Sequence, residues 1–531
     1  MNFSLKKLPY LGSIMALLSV ISISVLPSSV TAAPSSNTST SSTTALTPSA
    51  GRFGVGFRSV QQYDYHRSFK TQVDLVTGEA STGEPARPMQ TLIWYPTKGQ
   101  GKTLSYGDYL KTRQSALDFS KAKTNADSKA YLAQLGGQLD RQTVTMLAQR
   151  SMLGKEEAAP IEDKFPVLIY APGAGGEADE NVELFEYLAS HGYIVISSRS
   201  QGMHTKLVTI DRQGIETQAQ DIQFLIGYAR QIPQANLEKI AVLGFSWGGM
   251  ANFFAASNDT RIKALISLDG SLRQFPEYSR LVAPESITVP TLFIQRGHAS
   301  LEELNQAKRD ISYAALSSMQ YMDLVQITMP WMEHNFFTTD GVRFGGDNEF
   351  ENYSRAEIAT AYSWMARYVL EFMNANLKTN ADSAAFLKKR PQDNGAPAHI
   401  MNLKYRPALS KVLPTREGFA KELAGQQFQH ADVLYANLKK LNPNFQFNEY
   451  ELNAWGYDLL RMGKRKESIE IFKFITNQYP NSFNAFDSLA EAYETNGENV
   501  NAIQNYQKSL DLNPKNTHAE IQLRVLNKVE N

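Results

Sequence analysis

The 531-residue sequence contains no cysteine. Its absence excludes disulfide bonds, thiolate metal sites, a lipid-anchored N-terminal cysteine and a cysteine nucleophile. An excess of charge of one sign is also missing, because Lys+Arg and Asp+Glu both number 53. A balanced chain gives no indication of nucleic acid or an anionic membrane as its main partner. We also expect no metal ion and no cofactor.

Long hydrophobic runs are missing except near the N-terminus, where residues 11–26 are apolar and uncharged. Two lysines precede this run, and the small residues 30–33 follow it. This order is typical of an export signal, and we expect cleavage after Ala32 or Ala33. A retained anchor is the alternative, but the run is short for a spanning helix. The sequence therefore predicts a bacterial periplasmic or secreted protein, with no stable membrane span after cleavage.

Composition and periodicity divide the chain, whose length suggests two or three domains. The predicted segments are a signal peptide at 1–33, a Ser/Thr-rich linker at 34–50, an α/β domain at 51–378, a linker with little order at 379–414, and helical repeats at 415–531. Residues 97–164 are polar and are predicted to be a helical insertion in the α/β domain, with helices at 106–120 and 126–151. Such an insertion covers the active site or extends an edge of the sheet, and the sequence does not separate these roles.

The α/β domain alternates short apolar stretches with amphipathic ones, which predicts parallel strands joined by helices on both faces of a sheet. An earlier strand is predicted at 90–96. The six later strands are predicted at Val167–Tyr170, Ile194–Ser198, Ile240–Leu243, Ala264–Leu268, Thr291–Gln295 and Leu324–Met329. The accompanying helices are predicted at Asn181–Ser190, Ile215–Gln231, Gly249–Ser257, Leu301–Leu316 and Arg355–Leu377.

The C-terminal part repeats itself. Two glycines, Gly463 and Gly497, lie 34 residues apart (497 − 463), and so do two prolines at 480 and 514. This period and the small residues between large ones resemble the tetratricopeptide repeat, a stacked helix pair. Phe419–Leu441 is predicted to be a degenerate first repeat, and Thr517–Val529 a capping helix. The resemblance implies a protein partner or self-association, while stabilisation of the neighbouring domain is the alternative.

The motif Gly244-Phe245-Ser246-Trp247-Gly248 carries the chemistry. An apolar stretch rich in β-branched residues precedes it, and a predicted helix follows. Strand, Gly-x-Ser-x-Gly and helix form the nucleophile elbow of an α/β-hydrolase, in which a sharp turn raises the serine hydroxyl above the sheet. Glycines two positions away on either side avoid collisions with the neighbouring strand and helix. The sequence therefore predicts the α/β-hydrolase fold, with Ser246 as the nucleophile.

A serine nucleophile needs a base, and the base needs an acid that orients it. The chain order in this fold is serine, acid, histidine. His334 follows a predicted strand and precedes the final helix, so it is our candidate for the base. We expect His298, which follows the preceding strand, to be a surface or rim histidine. Asp269 stands at the carboxyl end of a strand and is our candidate for the acid, although Asp-Gly is also a common turn.

The oxyanion hole of this fold combines the N–H after the nucleophile with an N–H from an early loop. Trp247 supplies the first, and Ala174, in the loop 171–176, is our candidate for the second. That loop lacks the spacing of a nucleotide-binding motif. Aromatic residues near the elbow, Phe245, Trp331 and Phe336, suggest an apolar substrate pocket, although such residues are more often core.

Several of these stretches resemble the platelet-activating-factor acetylhydrolase and dienelactone-hydrolase-like families, over about residues 51–390. The stretches are Trp94-Tyr95-Pro96, the loop 172–176, residues 189–195, the elbow and Leu268-Asp269. The first family also carries its acid 23 residues after the serine (269 − 246). It differs in its oxyanion loop, which has His-Gly where this chain has Pro172-Gly173. The resemblance implies a serine esterase on small or lipid-like acyl esters.

Together these observations predict a serine carboxylic-ester hydrolase that works through an acyl-enzyme. Two alternatives remain open. The first is a serine peptidase, because the sequence separates esters from amides poorly. The second is a non-catalytic hydrolase scaffold that acts through its helical repeats. The distance between His334 and Ser246 discriminates this scaffold from an enzyme.

Overall fold

The computed structural model describes residues 45–71, 73, 78–80, 83–119, 139–282, 284, 287–297, 314–346, 349–350, 352–409, 414–442 and 445–529. The predicted signal peptide lies outside the described residues, as do the linker up to residue 44, His298 and most of the predicted helix 301–316. Within the described ranges, no helix is both long enough and apolar enough to cross a membrane.

Eleven described strands form one large sheet, and β2 (Tyr63–Ser68) and β3 (Ala86–Pro88) form a separate antiparallel pair. The strands of the large sheet are β1 Gly54–Val60, β4 Thr91–Thr97, β5 Thr103–Ser105, β6 Ser151–Glu156, β7 Phe165–Ala171, β8 Ile194–Ser198, β9 Ala235–Phe245, β10 Ile262–Leu268, β11 Thr291–Arg296, β12 Leu324–Met329 and β13 Asn402–Arg406. Their order is β13-β12-β11-β10-β9-β7-β8-β4-β1-β6-β5. The six strands from β12 to β8 are parallel.

The described α-helices before residue 410 are α1 Tyr106–Thr112, α2 Arg141–Gln149, α3 Val182–Ser190, α4 Arg212–Tyr228, α5 Trp247–Asn258, α6 Pro276–Ser279, α7 Ala314–Ser318, α8 Thr339–Phe344, α9 Arg355–Leu377 and α10 Ala381–Phe386. They cover the sheet on both faces. In β7, alternate residues face the two sides of the sheet: Leu168 and Tyr170 belong to one hydrophobic core, and Val167 and Ile169 belong to the other. A strand buried on both faces must be apolar throughout, which explains its continuous hydrophobic sequence.

All six predicted parallel strands are present, within two residues except for the longer N-terminal part of β9. The predicted fold class is therefore confirmed. The early strand is also present, at Thr91–Thr97, but it pairs antiparallel with β8.

The prediction of a purely helical insertion at 97–164 is wrong in part. The insertion contributes β5 and β6, and β6 pairs with β1 at an edge of the sheet. Its described helices, α1 and α2, are shorter than predicted, and residues 120–138 lie outside the described ranges. The alternation in Ser151–Glu156 buries only Met152 and Gly154, a signal too short to stand out in a polar stretch.

Two predicted linkers also need correction. The segment 379–414 has α10 and the edge strand β13, whose Leu403 and Tyr405 pack on the core, so the α/β domain extends to at least residue 406. An edge strand needs only one apolar face, so its pattern is weak. At the other end, Leu46 of the predicted linker 34–50 is 1% exposed and belongs to the core.

The C-terminal region is all-helical. Its helices are α11 Arg416–Gly425, α12 Ala431–Leu441, α13 Glu449–Arg461, α14 Arg465–Gln478, α15 Phe483–Thr495, α16 Asn499–Leu512 and α17 Thr517–Val529. Helices α13 and α15 begin 34 residues apart (483 − 449), and so do α15 and α17 (517 − 483). Small residues permit close packing, since a β-carbon on Gly456 would lie 2.6 Å from the ring of Phe472. These helices share a hydrophobic core of their own.

Candidate active site

Ser246 lies in a sharp turn between β9 and α5, with φ 53° and ψ −117°. A non-glycine residue adopts a positive φ only where surrounding contacts hold it there. Two backbone hydrogen bonds do so: the Ser246 N–H donates to the Leu268 carbonyl at 3.1 Å, and the Ser271 N–H donates to the Ser246 carbonyl at 3.0 Å. The strained serine is thereby fixed to the end of the neighbouring strand β10.

The two elbow glycines stand where a side chain has no room. A β-carbon on Gly244 would lie 2.3 Å from the carbonyl oxygen of Gly248. A β-carbon on Gly248 would lie 2.1 Å from the carbonyl oxygen of Ala171, at the end of β7. Backbone atoms on both sides cannot move away, so the turn requires glycine at both positions.

Ser246, Asp269 and His334 come together although up to 88 residues separate them in sequence. The Nε2 atom of His334 lies 2.8 Å from the Ser246 Oγ. Its Nδ1 atom lies 2.6 Å from the Asp269 Oδ2. They meet because the three residues follow β9, β10 and β12, whose carboxyl ends lie at one edge of the parallel sheet.

Asp269 is fixed by its backbone and by three contacts to its carboxylate. Its φ is 41°, and its N–H donates to the Ile294 carbonyl at 2.7 Å. The Arg296 N–H donates to Oδ1 at 3.0 Å, while the Arg296 guanidinium lies 3.7 Å from Oδ2. Burial alone would raise the pKa of Asp269, but His334 and Arg296 hold it below its usual range. The carboxylate is therefore ionised and orients the imidazole.

The orientation of the His334 imidazole is fixed by ring packing and by hydrogen bonds. The Phe245 ring packs against it, with 4.9 Å between ring centroids and 32° between planes. Because the Asp269 carboxylate only accepts hydrogen bonds, we assign the ring proton to Nδ1. Nε2 is then free to accept the hydroxyl proton of Ser246, which is the geometry of a general base.

Of the two residues predicted to form the oxyanion hole, Trp247 directly follows the serine, and Ala174 lies in the loop 171–176. Trp247 is the first residue of α5, so its N–H has no acceptor within the helix. The loop that carries Ala174 lies against the elbow, since a β-carbon on Gly173 would lie 3.4 Å from the Ser246 Cβ. Ala174 itself is exposed, and its loop is held by hydrogen bonds from Gly176 to Gly173 and from Gln218 to Pro172.

The predicted pocket residues have different surroundings. Phe245 contacts the imidazole, as described. Trp331 is partly buried and stacks on Tyr353 at 5.1 Å. Phe336 is 2% exposed and stacks on Phe350 at 4.7 Å, so its ring belongs to the core and offers little surface to a substrate.

Sequence reasoning missed a group of acidic residues, buried or partly buried, beside the loop 171–176. The Glu180 carboxylate accepts hydrogen bonds from the Tyr170 hydroxyl at 2.7 Å and the Gly173 N–H at 3.0 Å, and burial raises its pKa to about 8. Burial also raises the pKa of Glu177 to about 7 and that of Asp179 to about 6. In sequence they form an acidic run, a pattern typical of a solvated surface, so only the fold reveals their burial.

The described residues include no group of three or more His, Asp or Glu side chains arranged to hold a metal ion. Of the other histidines that follow Ser246 in sequence, His399 lies in the segment 379–414, and His430 and His518 lie in the helical region.

The family model described as alpha/beta hydrolase fold matches residues 166–293, from β7 into β11. Among solved structures, a ferulic acid esterase from Streptomyces cinnamoneus superposes with a TM-score of 0.47 and 17% identity, over 68% of this chain and 98% of that chain. No curated protein matches the sequence significantly. The parallel sheet, the strand–serine–helix turn and the family match together show that the chain has the α/β-hydrolase fold, followed by an all-helical region.

Proposed function

We propose that the protein is a serine carboxylic-ester hydrolase that works through an acyl-enzyme. The observation that carries the proposal is the 2.8 Å distance between His334 Nε2 and the strained Ser246 hydroxyl, with Asp269 2.6 Å behind the imidazole. A non-catalytic scaffold has no need to hold a serine at φ 53° or to keep this chain of contacts. The distance therefore favours the enzyme over the scaffold.

In the proposed reaction, His334 takes the proton of Ser246 as the serine oxygen attacks the ester carbonyl carbon. The N–H groups of Trp247 and Ala174 donate hydrogen bonds to the tetrahedral oxyanion. His334 then returns the proton to the alcohol oxygen, which leaves, and the acyl group stays on the serine. Water, activated by the same imidazole, releases the acid, while Asp269 remains ionised throughout.

The surface beside the loop 171–176 favours an apolar ester as the substrate. Leu207 lies against this loop, because a β-carbon on Gly175 would lie 3.2 Å from the Leu207 Cδ2, yet Leu207 is 57% exposed. Met203 and Ile210, in the same segment, are 37% and 43% exposed. An exposed apolar side chain at the position of Leu207 is suited to contact the acyl chain or the apolar alcohol of a substrate.

The segment that carries these apolar residues is held in place at its base. The buried guanidinium of Arg87 donates to the carbonyls of Gln201 and Gly202, at 3.0 and 2.6 Å. The same guanidinium pairs with the Asp221 carboxylate at 2.6 Å. The segment is therefore fixed to the domain a few residues before Leu207.

The test measures hydrolysis of p-nitrophenyl esters from acetate to octanoate by the purified protein. Ser246→Ala is expected to reduce kcat at least about a thousandfold and to abolish labelling by a fluorophosphonate. Undiminished esterase activity in this variant would refute the assignment. Turnover of a p-nitroanilide at a rate similar to that of the ester would favour the peptidase alternative.

The apolar surface is tested with the same esters. We expect kcat/KM to rise by up to about fourfold for each added methylene that becomes buried. Leu207→Asp should flatten this dependence and leave acetate hydrolysis little changed. Leu441→Asp, at a leucine 49% exposed in the helical region, is the matched control. If both variants keep the dependence of the unmodified protein, the acyl chain does not contact Leu207.

Export is part of the proposal as well. If the signal is cleaved as the sequence predicts, N-terminal sequencing of protein recovered from a periplasmic fraction or medium begins at Ala33 or Pro34. A chain that remains in the membrane with residue 1 intact would support the anchor.

We also propose that the helical region binds a protein partner or a second copy of the chain, as the tetratricopeptide resemblance implies. Its exposed apolar side chains, including Tyr450 at 83% and Met462 at 69%, support this role. Sedimentation velocity over a range of concentrations tests for self-association. If the protein is a monomer at every concentration, it does not self-associate, and the proposed partner is then a different protein.

A further inference from the structure

The side chain of Arg113, in the insertion just after α1, is 2% exposed and joins two carboxylates. Its Nε donates to the Asp179 Oδ1 at 2.6 Å, and its Nη2 donates to the Asp340 Oδ2 at 2.7 Å. Asp179 is fully buried, and burial raises its pKa to about 6, so its ionised form depends on this cation. A planar guanidinium can serve two carboxylates in different directions, whereas an ammonium is a point charge.

The two carboxylates belong to the two loops that carry the proposed chemistry. Asp179 lies between β7 and α3, five residues after Ala174. Asp340 lies in the first turn of α8, six residues after His334. The loops also touch directly, since the Asp340 N–H donates to the Glu180 carbonyl at 3.1 Å. Arg113 thus spans the contact between the loop of the oxyanion hole and the loop of the base.

We propose that Arg113 is a positioning residue that fixes the spacing between the oxyanion amide of Ala174 and the imidazole of His334. This proposal rests on the proposed esterase function. It gives the insertion a role beyond extending the sheet, because a residue from the insertion determines how two loops of the core domain meet. Arg113 does not touch the reacting atoms and acts through Asp179 and Asp340.

Two tyrosines of α1 provide a matched comparison. Tyr106 and Tyr109 are 1% and 0% exposed, and each donates one hydrogen bond of 2.7 Å to a carboxylate. Tyr106 donates to Asp340, in the loop of the base. Tyr109 donates to Glu186, in the middle of α3 and away from both loops. Replacing either tyrosine by phenylalanine removes the same type of bond from the same helix.

The experiment measures kcat, KM and Tm with p-nitrophenyl acetate for Arg113→Lys, Tyr106→Phe and Tyr109→Phe in the full chain. A displacement of about 1 Å in a catalytic group costs about a hundredfold in rate, so we expect Arg113→Lys to lower kcat at least about tenfold with little change in KM. Tyr106→Phe should lower kcat about threefold, while Tyr109→Phe, with a similar loss of Tm, should leave kcat unchanged.

A second readout uses double variants. Arg113 and Tyr106 act on the same carboxylate, so their effects on kcat should not be additive, whereas Arg113→Lys and Tyr109→Phe should combine additively. If Arg113 and Tyr106 only stabilise the fold, Tm should fall in every variant, and Tyr106→Phe and Tyr109→Phe should have the same kcat.

The outcomes distinguish the positioning role of Arg113 from the proposed esterase function. If the unmodified protein hydrolyses esters and is labelled at Ser246, but Arg113→Lys keeps full kcat, the positioning role is refuted and the esterase stands. Equal kcat losses in Tyr106→Phe and Tyr109→Phe would also refute it. If the unmodified protein neither hydrolyses any ester nor reacts with the fluorophosphonate, the proposed function itself fails.

Discussion

Replacing Glu180 by glutamine should change how the stability of the protein depends on pH. The carboxyl is buried beside the loop 171–176, and burial raises its pKa from the usual 4.5 to about 8. The folded protein therefore retains a proton that the unfolded chain releases between these two pH values. Glutamine resembles the protonated carboxyl in shape and keeps an oxygen that can accept from Tyr170 and Gly173.

The sign and size follow from proton linkage. A raised carboxyl pKa contributes full stability below about pH 4.5, and this contribution is lost as the pH rises toward about 8. Each pH unit in this window costs about 1.4 kcal/mol, so by pH 7 the loss from Glu180 is about 3 kcal/mol. Glu177 and Glu186, whose pKa values are raised to about 7, act in the same direction, but the unmodified protein and the variant both retain them.

The assay is urea unfolding at intervals from pH 4.5 to 8, followed by tryptophan fluorescence, for the unmodified protein and Glu180→Gln. The free energy of unfolding of the variant should exceed that of the unmodified protein by an amount that grows by about 3 kcal/mol between pH 4.5 and pH 7. Glu238→Gln, at an exposed carboxylate of β9, is the control. Parallel curves for Glu180→Gln and the unmodified protein would refute the reasoning.

Three further predictions concern the triad, the elbow and the helical region. Asp269→Asn should lower kcat by about ten thousandfold, because an amide no longer fixes the proton on Nδ1 of His334, and steady-state kinetics would show it. Gly248→Ala should lower the free energy of unfolding by about 3 kcal/mol in chemical denaturation, since its β-carbon would meet a carbonyl at 2.1 Å. Gly456→Ala should destabilise the helical region, because the added β-carbon would lie 2.6 Å from the Phe472 ring, and it should leave kcat unchanged. A fall in kcat without unfolding would contradict this.

Local patterns were enough to predict the sheet, because each parallel strand is buried on both faces and must be apolar for its whole length. The elbow was predictable for a similar reason, since its turn requires glycines at fixed spacing around the serine. Edge elements were harder. The strand β13 needs apolar residues on one face only, so Leu403 and Tyr405 gave too short an alternation, and the segment was mistaken for a linker.

The sequence by itself determined the parallel sheet, the order of Ser246, Asp269 and His334 along the chain, and the 34-residue period of the helical region. These features depend on local hydrophobic periodicity, on chain order in a known fold and on residue identity. Only the tertiary structure decided which charges are buried and what they join. Arg113 and Asp340 are 227 residues apart, and their pairing arises because the insertion packs beside two loops at the carboxyl edge of the sheet. Burial depends on how the helices and the sheet pack together, so no local sequence pattern indicates it.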